Sequence, residues 1–444
     1  MLKKITKNQF NLYVFFTKKN FVENFSQEID WYMDEDKTLW VVISLDKIDN
    51  DYNVIFCERD SNKQVRCTDL KTSIRSYEEA ISIMNEFYKS FEQKKHTRCN
   101  KVVQNLFEPI TDNRKLNEFF ELVSKQPHFS ACRNIINEIM PHFFDVDGNF
   151  IQQFQTQGFD ARLWELYLFC YFNEEGLEII RNYFAPDFLL RLNKDFISVE
   201  ATIVSRKDGK ESSENDTFEE KKEFMPSKWG SSLYSKLKHI DKFGNHYWEY
   251  EHTKNKPFII AIADFHDDMS MIWSHDSLVT YLYGYKYSYS YDNNGNVSIE
   301  PVKVDTHPKG KNRNLIPSGF FFQENTENIS AILHSSCGTI SKFNRIGKQC
   351  GFDENDVTMI RNVVSYNPTA NATKPNQHQY FVTEDTCETW GEGVSIFHNP
   401  NAKYPLPETF FSNAAHYYLK DNLIYTKYRN PIVFHSLTYN FVKL

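Results

Sequence analysis

The chain of 444 residues has no run of 18 apolar residues free of charge, so it has no candidate transmembrane helix. It also has no CxxC pair. Eight cysteines lie scattered at 57, 67, 99, 132, 170, 337, 350 and 387, which argues against a disulfide framework or a zinc ribbon and points to a reduced, cytoplasmic compartment. A P-loop is missing, because Gly310-Lys311 and Gly347-Lys348 lack the upstream glycine and the following Ser or Thr; ATP-driven function is therefore disfavoured. Internal repeats are absent. The first residues are basic but run into Lys18 and Lys19 rather than a small-residue cleavage site, so they do not read as a signal peptide. Positive charge is in deficit, with 51 Lys and Arg against 59 Asp and Glu and a net charge of −8. That balance carries no whole-chain signature of nucleic-acid binding, though a local basic groove remains open.

Aromatic side chains are plentiful, at 16% of the chain with 38 Phe and 25 Tyr, enough for large cores. At about 150 residues per domain the length suggests roughly two to four domains. From 1 to 140 the pattern is mixed α/β: LWVVISLDKI and YNVIFCERD read as strands, and SYEEAISIMNEFYKSF as a helix capped by Ser76 with Glu79. NRKLNEFFELVSK and ACRNIINEIMPHFF add two more helices. From 155 to 275 the order is one apolar helix (DARLWELYLFCYF, with Asp160 as its expected cap), three short strands, a helix (SSLYSKLKHIDKF) and a buried strand (KPFIIAIADF). The charged stretch RKDGKESSENDTFEEKKEF reads as a loop. From 276 to 444 the chain is β-rich, with YKYSYSY, NVSIEPVKV, GFFFQ and ISAILHSS as strands and Asn294-Gly295 as a hairpin turn.

The segment PDFLLRLNKDFISVEAT carries the chemistry. With Asn193 and Lys194 at the tip of a tight hairpin, paired residue numbers sum to 387, so Asp187 falls opposite Glu200. Directly opposed residues have Cβ atoms about 4.5–5.5 Å apart, close enough for two carboxylates to share one hard cation. Ile197, Val199, Ala201 and Ile203 alternate with Ser198, Glu200 and Thr202, which puts the acids on the expected polar face of a half-buried hairpin. Like charges there repel unless a metal bridges them. In the preceding helix Glu165 sits among Trp164, Leu166, Tyr167, Leu168 and Phe169, a costly place for a carboxylate without a partner or a metal; Arg162 is the alternative partner.

These residues resemble the PD-(D/E)XK phosphodiesterase superfamily, whose fold is called restriction-endonuclease-like. The likeness covers roughly 155–265 and rests on Glu165, Pro186-Asp187, Glu200-Ala201-Thr202 and the order of elements. It implies an α/β fold, a mixed sheet flanked by helices, and an Mg²⁺- or Mn²⁺-dependent nuclease acting on DNA in bacterial restriction or antiphage defence. It implies Asp187, Glu200, the carbonyl of Ala201 and Glu165 as the metal-binding set. The family's usual lysine is here Thr202, which leaves two readings: an inactive nuclease fold that binds nucleic acid or protein, or a lysine supplied from elsewhere. At 100° per residue Lys236 flanks the inward face marked by Leu233, Leu237 and Ile240, whereas Lys238 points away; Lys228 is a second substitute. A homo-oligomer or a partner protein fits either reading.

Other groups have structural explanations. Asp264, His266, Asp267 and Asp268 read as a solvated strand end capping the next helix, and His334 with Cys337 as structural residues. Tyr285, Tyr287, Tyr289 and Tyr291 share one strand face; core or sheet packing is the expected role, with stacking on bases or sugars as the alternative. Two basic clusters, Lys309, Lys311 and Arg313, and Lys342, Arg345 and Lys348, could be phosphate contacts or solvated loops.

Overall fold

The computed structural model describes residues 1–18, 24–94, 105–110, 115–205, 217–267, 270–293, 296–309, 314–354, 356–370 and 372–442. The amino-terminal part contains β1 (Leu2–Ile5), α1 (Lys7–Val14), β2 (Ser26–Asp34), β3 (Leu39–Asp46), β4 (Tyr52–Arg59), β5 (Val65–Ile74) and α2 (Tyr77–Lys94). Its strands form an antiparallel sheet in sequence order. β3 is apolar on both faces because both are covered. Leu39, Val41 and Ile43 pack with Ala80 and Met84 of α2, while Trp40 and Val42 join the main core. Ser76 accepts from the Glu79 amide, the expected cap. Three helices lead on: α3 (Glu118–Lys125), α4 (Ser130–Ile139) and α5 (Phe150–Gln155).

The centre begins with α6 (Phe159–Glu174), β6 (Glu178–Ile180), β7 (Phe188–Leu192), β8 (Asp195–Val204), α7 (Phe218–Leu237), β9 (Phe258–Asp264) and α8 (Met271–Tyr283). Asp160 lies in the first turn of α6, and Gly158 holds the cap position instead. α7 starts earlier than expected: Thr217 and Glu220 form a capping box, so FEEKKEF is helical, while 206–216 lies outside the described residues. α7 also ends at Leu237, which leaves Ile240 beyond it and 55% exposed; Leu233 and Leu237 are buried as expected.

Next come β10 (Tyr285–Tyr291), β11 (Val297–Lys303), β12 (Thr306–Lys309), β13 (Asn314–Pro317), β14 (Ala331–Ser335), α9 (Ile340–Gln349), β15 (Thr358–Ser365), β16 (Asn376–Val382), β17 (Val394–His398), β18 (Ala415–Lys420), β19 (Leu423–Lys427) and β20 (Val433–Phe441). GFFFQ is not a strand: Phe320–Phe322 forms a single 3₁₀ turn, entered through Gly319 at φ +72°. β10 and β11 pair as a hairpin, but the proposed turn Asn294-Gly295 lies outside the described residues.

One mixed eight-stranded sheet, ordered β19-β18-β17-β14-β9-β8-β7-β6, organises the molecule. β8, β9 and β14 run parallel, and β7 and β17 flank them antiparallel. The boundary expected at 276 falls inside α8, and half of the strands come from beyond it, so the two segments share a single sheet. Helices cover both faces. In β9, Ile259, Ala261 and Ala263 pack on the α6 side, whereas Phe258, Ile260 and Ile262 pack with Trp229, Leu233 and Leu278 of α7 and α8. A strand sandwiched this way needs apolar residues at every position, which is how FIIAIAD reads.

Candidate active site

β7 and β8 pair in the expected register, with Phe188 opposite Val199, Leu189 opposite Ser198 and Leu190 opposite Ile197. Continuing it by one residue brings Asp187 beside Glu200. Each acid is fastened to the backbone next to the other: the Asp187 amide donates to Glu200 Oε2 at 3.3 Å, and the Ala201 amide donates to Asp187 Oδ2 at 2.7 Å. The hairpin is not half-buried, however. α6 covers one face and α7 the other, and Glu200 is 5% exposed. Its neighbour Asp187 sits at the rim, half-buried.

Lys236 reaches into this pair from the last turn of α7. Its ammonium donates to Glu200 Oε1 at 2.6 Å, and Lys238, at the end of the same helix, is exposed and lies over Tyr234. The separation expected from helical periodicity therefore exists. Lys228 lies more than two turns earlier on the helix, and Thr202 is half-buried on the strand face it shares with Glu200. Burial pushes the Glu200 carboxyl up, and the Asp187 charge pushes it further, to about 8, with Lys236 pulling the other way. Burial alone would lower the Lys236 ammonium, but the Glu200 carboxylate more than offsets that and raises it.

Glu165 faces a different set of partners. Arg162 donates to it at 2.7 Å, as expected of a residue three positions earlier, and Arg181 approaches to 3.6 Å. Burial and then the Asp187 charge still raise its carboxyl, to about 7. The three acids are thus electrostatically linked, yet among the described residues no group of three or more His, Cys, Asp or Glu is placed to hold a metal ion. The two acids brought together are Asp187 and Glu200, with the Ala201 amide bonded to Asp187.

Two site residues escaped the sequence reading. Arg181 is buried between the Phe143 and Phe188 rings, at 4.2 and 4.8 Å, and the Tyr247 ring lies 5.8 Å from the Lys236 ammonium beside Glu200. Tyr247 belongs to no periodic segment, and Arg181 falls in GLEIIRNYF, expected as a strand, just past the end of β6 at Ile180; the available signal was its proximity to the Pro186-Asp187 motif.

The remaining candidates resolve differently. Asp264 is 1% exposed and bonded to His266, so it is not a solvated cap; Lys221 pairs with Asp267, and Asp268 lies outside the described residues. His334 and Cys337 are buried, and His334 Nδ1 bonds the Ile262 backbone. Lys342 and Arg345 are neither solvated nor available to phosphate, because both are sealed in α9 against Glu388; Lys348 pairs with Asp353. Of the other basic cluster only Lys309 lies within the described residues. The tyrosines of β10 are not core residues: Tyr287, Tyr289 and Tyr291 are exposed, and the hydroxyls of Tyr285, Tyr287 and Tyr291 bond Asn422, the Ile424 amide and Thr373. A cavity of about 300 Å³ at the carboxyl ends of β9 and β14, lined by Asp264, Ser336 and Thr339, includes none of Asp187, Glu200 and Lys236. No helix among the described residues is long and apolar enough to cross a membrane.

The chain matches no protein-family model, no curated protein and no solved structure.

Proposed function

We propose that this chain is a divalent-metal-dependent nuclease that hydrolyses phosphodiester bonds in DNA, built on a restriction-endonuclease-like core from α6 to β9. One observation carries the reading: the Lys236 ammonium lies 2.6 Å from Glu200, which is itself bonded to the Asp187 amide. The lysine absent from position 202 thus arrives from α7. Two carboxylates and a main-chain carbonyl suit Mg²⁺ or Mn²⁺, since Mg²⁺ is commonly bound through one or two carboxylates with water completing its shell. Such an ion would supply Lewis acidity to activate water and would neutralise charge building on the phosphate. Lys236 then orients the attacking water, and the Thr202 hydroxyl is the alternative group for that task. Glu165, held by Arg162 and Arg181, steadies the potential around Asp187.

The test is cleavage of supercoiled plasmid and of single-stranded DNA in Mg²⁺ or Mn²⁺. Asp187→Ala and Glu200→Ala should each abolish cutting while the fold survives, and EDTA should do the same to the parent. Cutting that persists in both variants ends the proposal. The second reading, an inactive nuclease fold that only binds nucleic acid or a protein partner, draws on Thr202 at the lysine position and on the two arginines that neutralise Glu165. Salt-dependent DNA binding without metal-dependent cutting selects it. A bacterial restriction or antiphage-defence setting belongs to the first reading as its biological proposal.

A further inference from the structure

Between α7 and β9 lies an irregular segment, 238–257, long enough that a purely connecting role is unusual. It interleaves rings and positive charge. From 236 to 256 there are five lysines (236, 238, 242, 254 and 256) against three acids, in a chain whose net charge is −8. The acids are engaged locally: Asp241 accepts from the Phe243 and Asn245 amides, Glu249 from the His246 amide, and Glu251 pairs with Lys254 at 3.4 Å.

The segment meets the turn that delivers Asp187. His252 Nε2 bonds the Ala185 carbonyl at 2.9 Å, and the His252 ring stacks on Tyr183 at 3.7 Å with 4° between planes. Tyr250 continues the stack on His252 at 5.5 Å and 5°. Three nearly parallel rings therefore rise beside the acid pair and end at Tyr183, which is 41% exposed. Phe184 next to it is 81% exposed, and Phe243 is 76% exposed with the Lys242 ammonium 5.0 Å from its ring. Adjacent exposed rings, unlike single ones, mark an interaction surface. A stack that ends in an open ring face accepts one more flat ring, and a duplex offers none along its length because its bases already cover one another.

Resting on the nuclease reading, we infer that the surface formed by Tyr183, Phe184 and the 238–256 segment is a stacking platform for single-stranded nucleic acid, which would make unpaired strand the substrate of the Asp187–Glu200 site. Bases stack on Tyr183 and Phe184, while Lys242 follows the backbone. The tyrosine face of β10 is a poorer platform, since the hydroxyls of Tyr285, Tyr287 and Tyr291 tie that hairpin to neighbouring loops.

Binding of fluorescent oligothymidylate and of a matched duplex to the full chain in EDTA, read by anisotropy, tests the inference. Oligothymidylate should bind more tightly than duplex. Stacking on one ring contributes roughly 5- to 150-fold in affinity, so Phe184→Ala and Tyr183→Ala should each weaken binding at least about fivefold. Phe184 is so exposed that its variant should fold normally, as circular dichroism would confirm. Lys242→Ala should lower the salt slope by about one ion, and Tyr289→Ala on the remote hairpin should change nothing. Equal affinity for the duplex, or a Phe184→Ala variant that binds like the parent, overturns the platform. If that variant also cuts duplex normally, the nuclease stands and the platform falls. If the chain cuts nothing but its oligothymidylate binding depends on Phe184, the platform stands and the nuclease falls.

Discussion

Glu388 and Glu200 are both glutamates sealed from solvent, and their surroundings drive them in opposite directions. Around Glu388, Arg345 donates twice, at 2.7 and 2.8 Å, and Lys342 and Arg361 approach to 3.4 and 3.5 Å. Burial works against ionisation there, but these three cations overwhelm it and hold the carboxyl down at about 2. Around Glu200 there is one ammonium and a second acid, and the carboxyl is pushed up to about 8. A carboxylate with surplus positive charge acts as a fastener. One left short of positive charge beside another acid is poised for a cation or a proton, a pattern concentrated at functional sites. The contrast separates the two roles without reference to any relative.

The largest expected break in this comparison is structural. Glu388→Gln leaves Arg345 and Lys342 buried without their anion, while Arg361 keeps Glu392, and removing one partner of a buried ionic cluster costs about 3–5 kcal/mol. Glu200→Gln removes an acid from a like-charged pair, so stability should hold or rise. Thermal denaturation of the two variants checks this. Similar losses in both would mean that Glu200 is a fastener too.

Next in size is the lysine contrast. Lys236→Ala should slow metal-dependent plasmid nicking by about 10²–10⁴, the usual range for a group that positions a proton-transferring water. Lys238→Ala should change it little, since that side chain is exposed over Tyr234. Circular dichroism on both variants excludes unfolding. Equal rates would return the role to Thr202, to Lys228 or to an inactive core.

How much of this was legible beforehand follows from the range of the forces involved. The Asp187–Glu200 register could be read because a tight hairpin makes pairing a matter of counting. Lys236 could be chosen over Lys238 because a helix fixes side-chain direction at short range. The Glu388 cluster could not be read. Lys342 and Arg345 read as phosphate contacts or solvated loops because their anion lies 43 residues from Arg345 and on no shared element. The same limit explains the sheet: β14, β17, β18 and β19 join β6–β9 through long-range pairing that local periodicity does not encode. Likewise the β10 tyrosines showed strand periodicity, but nothing local distinguished a buried face from an exposed one.

The smallest effect sharpens the comparison through pH. In the folded chain Glu200 titrates near 8 and Glu165 near 7, whereas in the unfolded chain both return to about 4.5. Between those values the folded state holds protons that the unfolded state has released, so stability falls as pH rises from about 4.5 towards 8. Each such carboxyl adds a slope of up to about 1.4 kcal/mol per pH unit across its window. Asp187, Lys236 and Tyr247 face Glu200, and Lys236 is the only cation of the three; with its side chain 23% exposed, it can swing to water when Glu200 is replaced. Glu200→Gln should therefore show a shallower decline. Its melting temperature should match the parent near pH 5 and exceed it by a few degrees near pH 8. Glu388→Gln should behave in the opposite sense: its cost is fully present above pH 4.5, stays constant from pH 5 to 8, and fades only as pH falls towards 2. Melting curves for the parent and Glu200→Gln that stay parallel from pH 5 to 8 would show that Lys236 keeps Glu200 ionised throughout, and the distinction between the two glutamates would then rest on Asp187 alone.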